Sequence, residues 1–225
     1  MLSKMCTAAI MAASIAMLIS ASQIARASDN PALDADILVV AEEWAKVKYL
    51  SETDGERKEK MAPVGAKADE LVKRYPGRVE ALIWDGIVTS DRASLTWGLT
   101  ALNLATRARD LLLEAEKLDP KAVDAGAPTS LGVLYYRVPG FPVGWGDTKK
   151  ARHYLEEAVK NAPNGRDAHY FYADFLYEQG EYKQAEEVVK TALALPHHPE
   201  RPIWDKYFPK VMEGLLDKIH EKTKS

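Results

Sequence analysis

Cysteine is almost absent from this sequence, which has one, Cys6, among 225 residues. Disulfide frameworks and thiolate zinc sites need several cysteines, so neither can organise this chain. An excess of positive charge is also lacking, because 30 Lys and Arg residues stand against 33 Asp and Glu residues. Proteins that bind nucleic acids through phosphates are rich in basic residues, so we predict no nucleic-acid partner. The hydrophobic fraction of 47% is nevertheless large enough for a packed core.

The common signatures of enzymes are missing as well. There is no Gly-x-Ser-x-Gly nucleophile elbow, no His-Glu-x-x-His pair and no Gly-rich phosphate-binding loop followed by Lys-Ser or Lys-Thr. The segment His197-His198-x-Glu200 lacks a third spaced ligand, so it is predicted to form a polar turn rather than a metal site. The sequence therefore predicts a protein that is not an enzyme, with no catalytic residue, no metal and no cofactor.

The first residues have the order of a secretory signal peptide. A short start with one Lys is followed by the apolar stretch Met5–Ala21 and by the small-residue site Ala25-Arg26-Ala27. We predict cleavage after Ala27, export and a periplasmic location. The alternative is an uncleaved membrane anchor, which two serines and a glutamine near the end of the apolar stretch disfavour. After cleavage the chain would keep neither Cys6 nor any segment able to span a membrane.

The rest of the chain repeats itself. Four prolines recur at intervals of 44, 43 and 33 residues: Pro76, Pro120, Pro163 and Pro196. An acidic residue follows each proline four positions later: Glu80, Asp124, Asp167 and Glu200. Alanines seven residues apart precede the last three prolines: Ala108 and Ala115, Ala151 and Ala158, Ala185 and Ala192. Residues seven apart share one helix face, so these alanines allow a neighbouring helix to approach closely before proline ends the helix.

The helices before these alanines carry the patterns Leu131-Gly132-x-x-Tyr135 and Tyr172-Ala173-x-x-Leu176. Both patterns resemble the tetratricopeptide repeat (TPR) family, which pairs such helices with a period of ~34 residues. The resemblance implies an all-α fold, a TPR-type solenoid of about 3–4 helical hairpins with a C-terminal capping helix. Two units exceed the family's period, and we predict that their extra residues join the two helices of a pair at Ser90–Thr100 and Arg137–Gly144.

These observations predict the following organisation. A signal peptide occupies residues 1–27, and one TPR-like α-solenoid domain occupies residues 28–225. Its repeats cover about 31–76, 79–120, 123–163 and 166–196, and the capping helix covers 201–224. The capping helix is predicted from an apolar stripe that begins at Trp204, because the last repeat of a solenoid needs a cover.

A closer resemblance lies in the segment Leu131–Asp147, which reads Leu-Gly-Val-Leu-Tyr-Tyr-Arg-Val-Pro-Gly-Phe-Pro-Val-Gly-Trp-Gly-Asp. Together with Tyr170–Leu176 and Ala81–Ile87, it is similar to a group of exported bacterial TPR proteins that includes the T component of TRAP transporters. That family is periplasmic, partners a substrate-binding subunit and is thought to handle a hydrophobic ligand. This chain departs from the T component because no lipoprotein cysteine stands at its predicted cleavage site.

The candidate binding residues are aromatic and charged side chains in and beside the two predicted inserts: Trp84, Trp97, Tyr136, Arg137, Phe141, Trp145, Tyr170 and Asp174. The aromatic side chains either line a groove for an apolar ligand or an extended peptide, or fill a wide gap between repeats. Asp174 and the similar Asp85 either bind a polar ligand group or pair with an arginine such as Arg137 or Arg201.

Two functions follow from these alternatives, both without catalysis. The first is a solute- or ligand-handling subunit associated with a TRAP-type transporter, whose partner is a small apolar solute. The second is an adaptor or scaffold that binds another periplasmic or envelope protein, and an oligomer is possible in either case. A closed apolar cavity beside Trp145 and Tyr136 would favour the solute.

Overall fold

The computed structural model describes residues 29–224, which form nine α-helices and no β-strand. These are α1 Pro31–Leu50, α2 Asp54–Arg74, α3 Val79–Ser94, α4 Gly98–Leu118, α5 Ala122–Arg137, α6 Thr148–Asn161, α7 Arg166–Glu178, α8 Tyr182–Ala194 and α9 Pro202–Thr223. The all-α prediction is confirmed. The predicted signal peptide and Cys6 lie outside the described residues.

The first eight helices pack as four consecutive pairs, α1–α2, α3–α4, α5–α6 and α7–α8. The first helix of each pair packs on the first helix of the next, so α1, α3, α5 and α7 form one continuous layer. This layer is called the first-helix layer below. Each second helix also contacts the first helix of the following pair. This is the stacking of a TPR-type solenoid, as the sequence predicts.

Local sequence explains where several helices begin. The Asn30 side chain accepts hydrogen bonds from the backbone N–H groups of Ala32 and Leu33, and Pro31 stands in the first turn of α1. The Asp147 side chain caps α6 in the same way. α5 starts less regularly, because its residues 123–125 have positive φ and its right-handed part follows them.

Small residues explain the close pairing of helices. A Cβ atom on Gly86 of α3 would lie 2.6 Å from Cγ of Leu112, and one on Gly132 of α5 would lie 2.5 Å from Cγ of Leu155. Both leucines are fully buried on the second helix of the same pair. Glycine is therefore required for the observed approach, although it costs roughly 1 kcal/mol of helix stability relative to alanine.

The two units longer than the repeat period use their extra residues differently. Residues 138–147 form a connection between α5 and α6, close to the predicted insert Arg137–Gly144. The predicted insert Ser90–Thr100 is wrong, because only Leu95–Trp97 separate α3 from α4. The extra residues instead lengthen the helices, and α4 has 21 residues where α8 has 13. The spacing between two motifs gives the number of residues between them, but it does not predict whether the extra residues lengthen a helix or a loop.

The last helix does more than cover the last repeat. α9 packs against α8, as predicted, but it also crosses the first-helix layer to contact α7 and α1. Tyr207 stacks on Tyr49 of α1 with ring centroids 6.1 Å apart, and Phe208 meets Tyr170 of α7 edge-on at 5.1 Å. The solenoid is therefore closed by a contact between its first and last helices.

α9 is a structural part of the core. Five of its large side chains are at most 4% exposed: Trp204, Phe208, Met212, Leu215 and Ile219. Burying each such side chain contributes roughly 1.5–3 kcal/mol, so detaching α9 would cost as much as a small domain's whole stability. Within residues 29–224, no helix has the length and hydropathy needed to cross a bilayer.

Candidate functional site

The structure separates the eight predicted binding residues by depth. Trp84 belongs to the core, because it is 4% exposed and packs edge-on against Trp44 with ring centroids 6.0 Å apart. The guanidinium of Arg201 lies 5.6 Å above its ring and pairs with Asp167 at 3.5 Å. The interior of the protein thus accounts for Trp84 without any ligand.

Four residues at the ends of α5 and α7 form a connected group, called the Arg137 cluster: Tyr136, Arg137, Asp174 and Glu178. The Tyr136 hydroxyl and Arg137 Nη2 each lie 2.5 Å from Asp174 Oδ2, and both donate to it. Arg137 Nη1 is 3.5 Å from Glu178, and the guanidinium lies 4.7 Å over the Tyr136 ring. Of the two alternatives for Asp174, the structure shows the ion pair with Arg137.

Electrostatics keeps the Tyr136 hydroxyl of this cluster protonated. Burial raises the pKa of the Tyr136 hydroxyl well above its usual value, and the charge of Asp174 raises it further. The phenol therefore stays protonated and donates to the carboxylate. Burial also raises the pKa of Tyr170, with a second contribution from Asp174. Tyr170 packs against Phe171 with ring centroids 5.0 Å apart, next to the cluster.

The other carboxylate, Asp85, has a different partner from those predicted. Its side chain is 1% exposed and pairs with Arg107 of α4 at 2.6 Å, while Thr89 donates to its other oxygen at 3.0 Å. Arg107 also pairs with Asp69 of α2 at 2.8 Å. The prediction of Arg137 or Arg201 for Asp85 is wrong, because α4 lies directly over α3 and places its own arginine there. No sequence pattern singled out Arg107 as the partner of Asp85. The only indication was that Arg107 lies on α4, the helix that follows α3.

The connection between α5 and α6 is held in one shape by Trp145. Its indole N–H donates to Thr106 of α4 at 3.0 Å, and its ring meets Tyr135 edge-on at 5.3 Å. The guanidinium of Arg109 lies 4.6 Å over the same ring. The Gly146 N–H donates to the Pro139 carbonyl at 2.9 Å, which closes the loop on itself. Trp145 therefore anchors the loop through contacts with α4 and α5.

Two other predicted residues are strongly exposed to solvent. Trp97 is 83% exposed and Phe141 is 94% exposed, and each has a second exposed apolar neighbour, Leu99 at 79% and Val143 at 70%. These four side chains are called the loop edge. Sequence reasoning missed Leu99 and Val143, although each lies two positions from a predicted aromatic residue. Large exposed apolar groups of this kind mark contact surfaces when they lie together.

Two open surface clefts lie on the described part of the chain, and neither is lined by Trp145 or Tyr136. One has a volume of about 440 Å³ at Gly180–Gln184 and Thr223. The other has about 320 Å³ and is lined in part by Lys48, Asp91 and Val211. Residues 29–224 hold no group of three or more potential metal ligands. His197 and His198 lie beside the carboxylates of Asp205 and Glu200.

Fold and packing define a helical-repeat protein of the TPR type. The tetratricopeptide repeat family model matches residues 145–201, from the anchored loop to the turn after α8. Among solved structures, TTC0263, a thermophilic TPR protein of Thermus thermophilus, is similar with 17% identity and a TM-score of 0.54. The alignment covers 86% of this chain and 92% of that one.

A structure of MamA shares 18% identity at a TM-score of 0.43, over 74% of this chain and 91% of that one. Likeness at these identities concerns the fold, and the MamA match is too distant to carry an argument. No curated protein matches the chain. TPR-type folds stack helix pairs into extended surfaces that bind other proteins, and this chain has that architecture.

Proposed function

We propose that this protein is a non-catalytic adaptor of the cell envelope, which binds a protein partner on its first-helix layer around Arg137. One observation carries the proposal. The structure brings together four of the eight predicted residues, Tyr136, Arg137, Tyr170 and Asp174, on neighbouring helices α5 and α7 of that layer.

The exposure of Arg137 suits recognition. Its side chain is 52% exposed, whereas its partner Asp174 is 12% exposed. The guanidinium has five N–H donors in a rigid plane, and its pairs with Asp174 and Glu178 do not use all of them. Stacking on Tyr136 and the ion pair hold the plane in place before a partner arrives. Arginine and tyrosine held in this way are typical of residues that dominate binding energy at interfaces.

The position of the cluster also suits recognition. α9 covers α1 and the beginning of α7, where Phe208 contacts Tyr170, but it does not pack against α5. Arg137 is the last residue of α5, and Glu178 is the last residue of α7. This end of the first-helix layer is therefore left for a partner. Because the unsatisfied donors belong to a guanidinium, the partner should present a carboxylate or backbone carbonyls.

The envelope location rests on the signal-peptide pattern of residues 1–27. Mass spectrometry of the protein from its native host tests it, because an amino terminus at Ser28 is expected. A protein retained with Met1 in the cytoplasm would contradict it.

A second candidate is a solute-handling subunit of a TRAP-type transporter, which the resemblance of Leu131–Asp147 to the T component favours. In this case Arg137 would bind an acidic group of the solute. Native mass spectrometry of gently purified protein separates the candidates. A small-molecule adduct that Arg137→Gln abolishes would favour the solute.

The adaptor is tested by photo-crosslinking in envelope extracts of the host. A benzoylphenylalanine in place of Glu178 should yield a discrete protein adduct, and Arg137→Gln should remove it. The matched control places the same group at Glu187, which is exposed on the second helix α8. Equal adducts at both positions, or adducts that Arg137→Gln does not reduce, would contradict the proposal.

A further inference from the structure

The loop edge is one surface assembled from two connections at the same end of the solenoid. The connection after α5 lies on the first turns of α4, since the Cβ position of Gly144 is 3.5 Å from Leu102 and Trp145 bonds Thr106. Leu99 is one helical turn before Leu102 on the same face of α4. The connection that carries Phe141 and Val143 therefore lies against the first turns of α4, which begin just after Trp97 and include Leu99.

The two middle pairs carry apolar side chains that are at least 70% exposed at this connection, whereas the nearest exposed apolar side chain of the outer pairs is Leu50, 48% exposed at the end of α1. The corresponding connections of the outer pairs are Ser51–Thr53 and Gln179–Glu181, which contain serine, threonine, glutamine, glycine and glutamate. The loop edge is thus not a general property of these turns. Neither of the two surface clefts described above is lined by these four side chains, whereas a peptide-binding surface would form a groove.

Two lysines stand beside the loop edge in the first turn of α6. Lys149 and Lys150 are exposed, and no carboxylate within the described chain pairs with either ammonium group. The one neighbouring acid, Asp147, accepts hydrogen bonds from their backbone N–H groups, and the Lys150 ammonium lies 5.3 Å over Tyr135. Cations in a first turn oppose the helix dipole, so these lysines do not serve the stability of α6.

We propose that the loop edge docks the protein on the surface of an anionic lipid bilayer. Trp97, Leu99, Phe141 and Val143 insert at the boundary between headgroups and acyl chains, and Lys149 and Lys150 contact lipid phosphates. Tryptophan and phenylalanine suit this boundary, and nearly the whole area of these side chains is available for burial there. The attachment is peripheral, and it uses side chains other than those of the Arg137 cluster.

The binding to the bilayer is expected to be reversible and to need both the apolar side chains of the loop edge and the two lysines. Four partly inserted side chains resemble a single acyl chain, which alone gives marginal membrane association, of the order of 10⁴ M⁻¹. Each lysine near an anionic surface adds about a fivefold increase in affinity at moderate ionic strength. The loop edge should therefore prefer anionic membranes and release them at high salt.

The test is co-sedimentation of residues 28–225, which contain all the described helices, with two kinds of vesicle. One contains phosphatidylglycerol and phosphatidylethanolamine in equal parts, and the other contains phosphatidylcholine alone. Trp97→Ser with Phe141→Ser should lower the affinity for anionic vesicles at least about tenfold. Lys149→Gln with Lys150→Gln should lower it about 20- to 30-fold and leave binding to phosphatidylcholine unchanged.

The matched control is Leu38→Ser with Val39→Ser, because these residues are 46% and 51% exposed on α1, away from both connections. This variant should bind as the wild type does. Brominated lipids should quench the tryptophan fluorescence of the wild type and quench Trp97→Phe less. The proposal is overturned if the wild type does not bind anionic vesicles or if the control loses binding equally. It is also overturned if the loop-edge variants change only the oligomeric mass in solution, which would make the surface a protein interface.

Discussion

Asp85 and Asp174 invite comparison, because each is an acid next to a large aromatic residue on the first helix of a pair. The side chain of Asp85 is 1% exposed, and its arginine comes from the second helix of the same pair. The side chain of Asp174 is 12% exposed, and its arginine ends the first helix of the preceding pair. Acids next to an aromatic residue thus differ in depth, because one carboxylate is fully enclosed and the other is partly exposed.

The difference shows what an ion pair contributes at each depth. A fully buried carboxylate depends on its arginine, since unpaired charge in the interior is costly. A carboxylate near the surface shares that role with water and, for Asp174, with the Tyr136 hydroxyl. The inner pair is therefore expected to matter for stability, and the outer pair is free to serve binding.

The largest effect is expected from Arg107→Met, which keeps the length of the side chain and removes its charge. Asp85 would be left buried with the Thr89 hydroxyl as a donor and with the like-charged Asp69 nearby. We expect a loss of about 3–5 kcal/mol in the free energy of unfolding, measured by urea denaturation. Adding Asp85→Leu should recover most of the loss, since no buried charge then remains. If Arg107→Met lowers the free energy of unfolding by less than about 1 kcal/mol, the Asp85–Arg107 pair is no more important for stability than the Asp174–Arg137 pair.

Trp145 and Phe141 lie in one loop and also differ in how deeply their side chains are buried. Trp145→Ala removes a half-buried ring and its hydrogen bond to Thr106, so we expect a loss of about 2 kcal/mol. Phe141→Ala removes a ring that is 94% exposed and should change stability by less than about 0.5 kcal/mol. Thermal unfolding followed by circular dichroism measures both. Equal losses would show that Phe141 also packs against the protein.

Arg137→Met is the counterpart of Arg107→Met at the surface. Asp174 keeps the Tyr136 hydroxyl and some contact with water, so the free energy of unfolding should fall by about 1 kcal/mol or less. The photo-crosslinked adduct at position 178 should nevertheless disappear. Urea denaturation and crosslinking of the same preparation check both expectations. A stability loss as large as that of Arg107→Met would assign Arg137 a structural role.

The smallest effect concerns pH. Burial raises the pKa of Asp85 above its usual 3.8, although Arg107 opposes the shift. Because the folded-state pKa exceeds the unfolded one, this carboxyl group's stabilising contribution is complete below the unfolded pKa and is lost as pH rises through the folded pKa. The wild type should therefore gain stability relative to Asp85→Asn as pH falls from 7 to 4. Denaturant titrations of both proteins at each pH measure this difference, and a difference that shrinks towards pH 4 would reverse the sign.

Much of the fold could be predicted because its signals are local. The alanines spaced by seven, the Leu131-Gly132 pattern and the stripe starting at Trp204 each report which face of a helix is buried. The partnership of Asp174 with Arg137 was among the predicted alternatives. The pairing of Asp85 with Arg107 was not predicted, because the sequence alone does not distinguish Arg107 from other basic residues on neighbouring helices.

The exposure of the loop edge could not be predicted from the sequence either. Trp97, Phe141 and Trp145 are all aromatic residues near glycines, and their sequence context offers no reason to separate them. Trp145 finds Thr106, Tyr135 and Arg109 on neighbouring helices, and the other two find nothing comparable. Exposure is a property of what packs over a residue, so it could not be predicted for these three.

The sequence by itself determined that this protein is helical, that its helices pair in a TPR-like repeat and that a further helix follows the last pair. Helix periodicity, caps and small residues act over one or two turns, so they can be read along the chain. Only the tertiary structure decided that α9 crosses to α1, that Asp85 is buried and pairs with Arg107, and that the loop edge is exposed. These features depend on which helices meet in space, and the packing of distant segments sets the depth and the partner of every side chain.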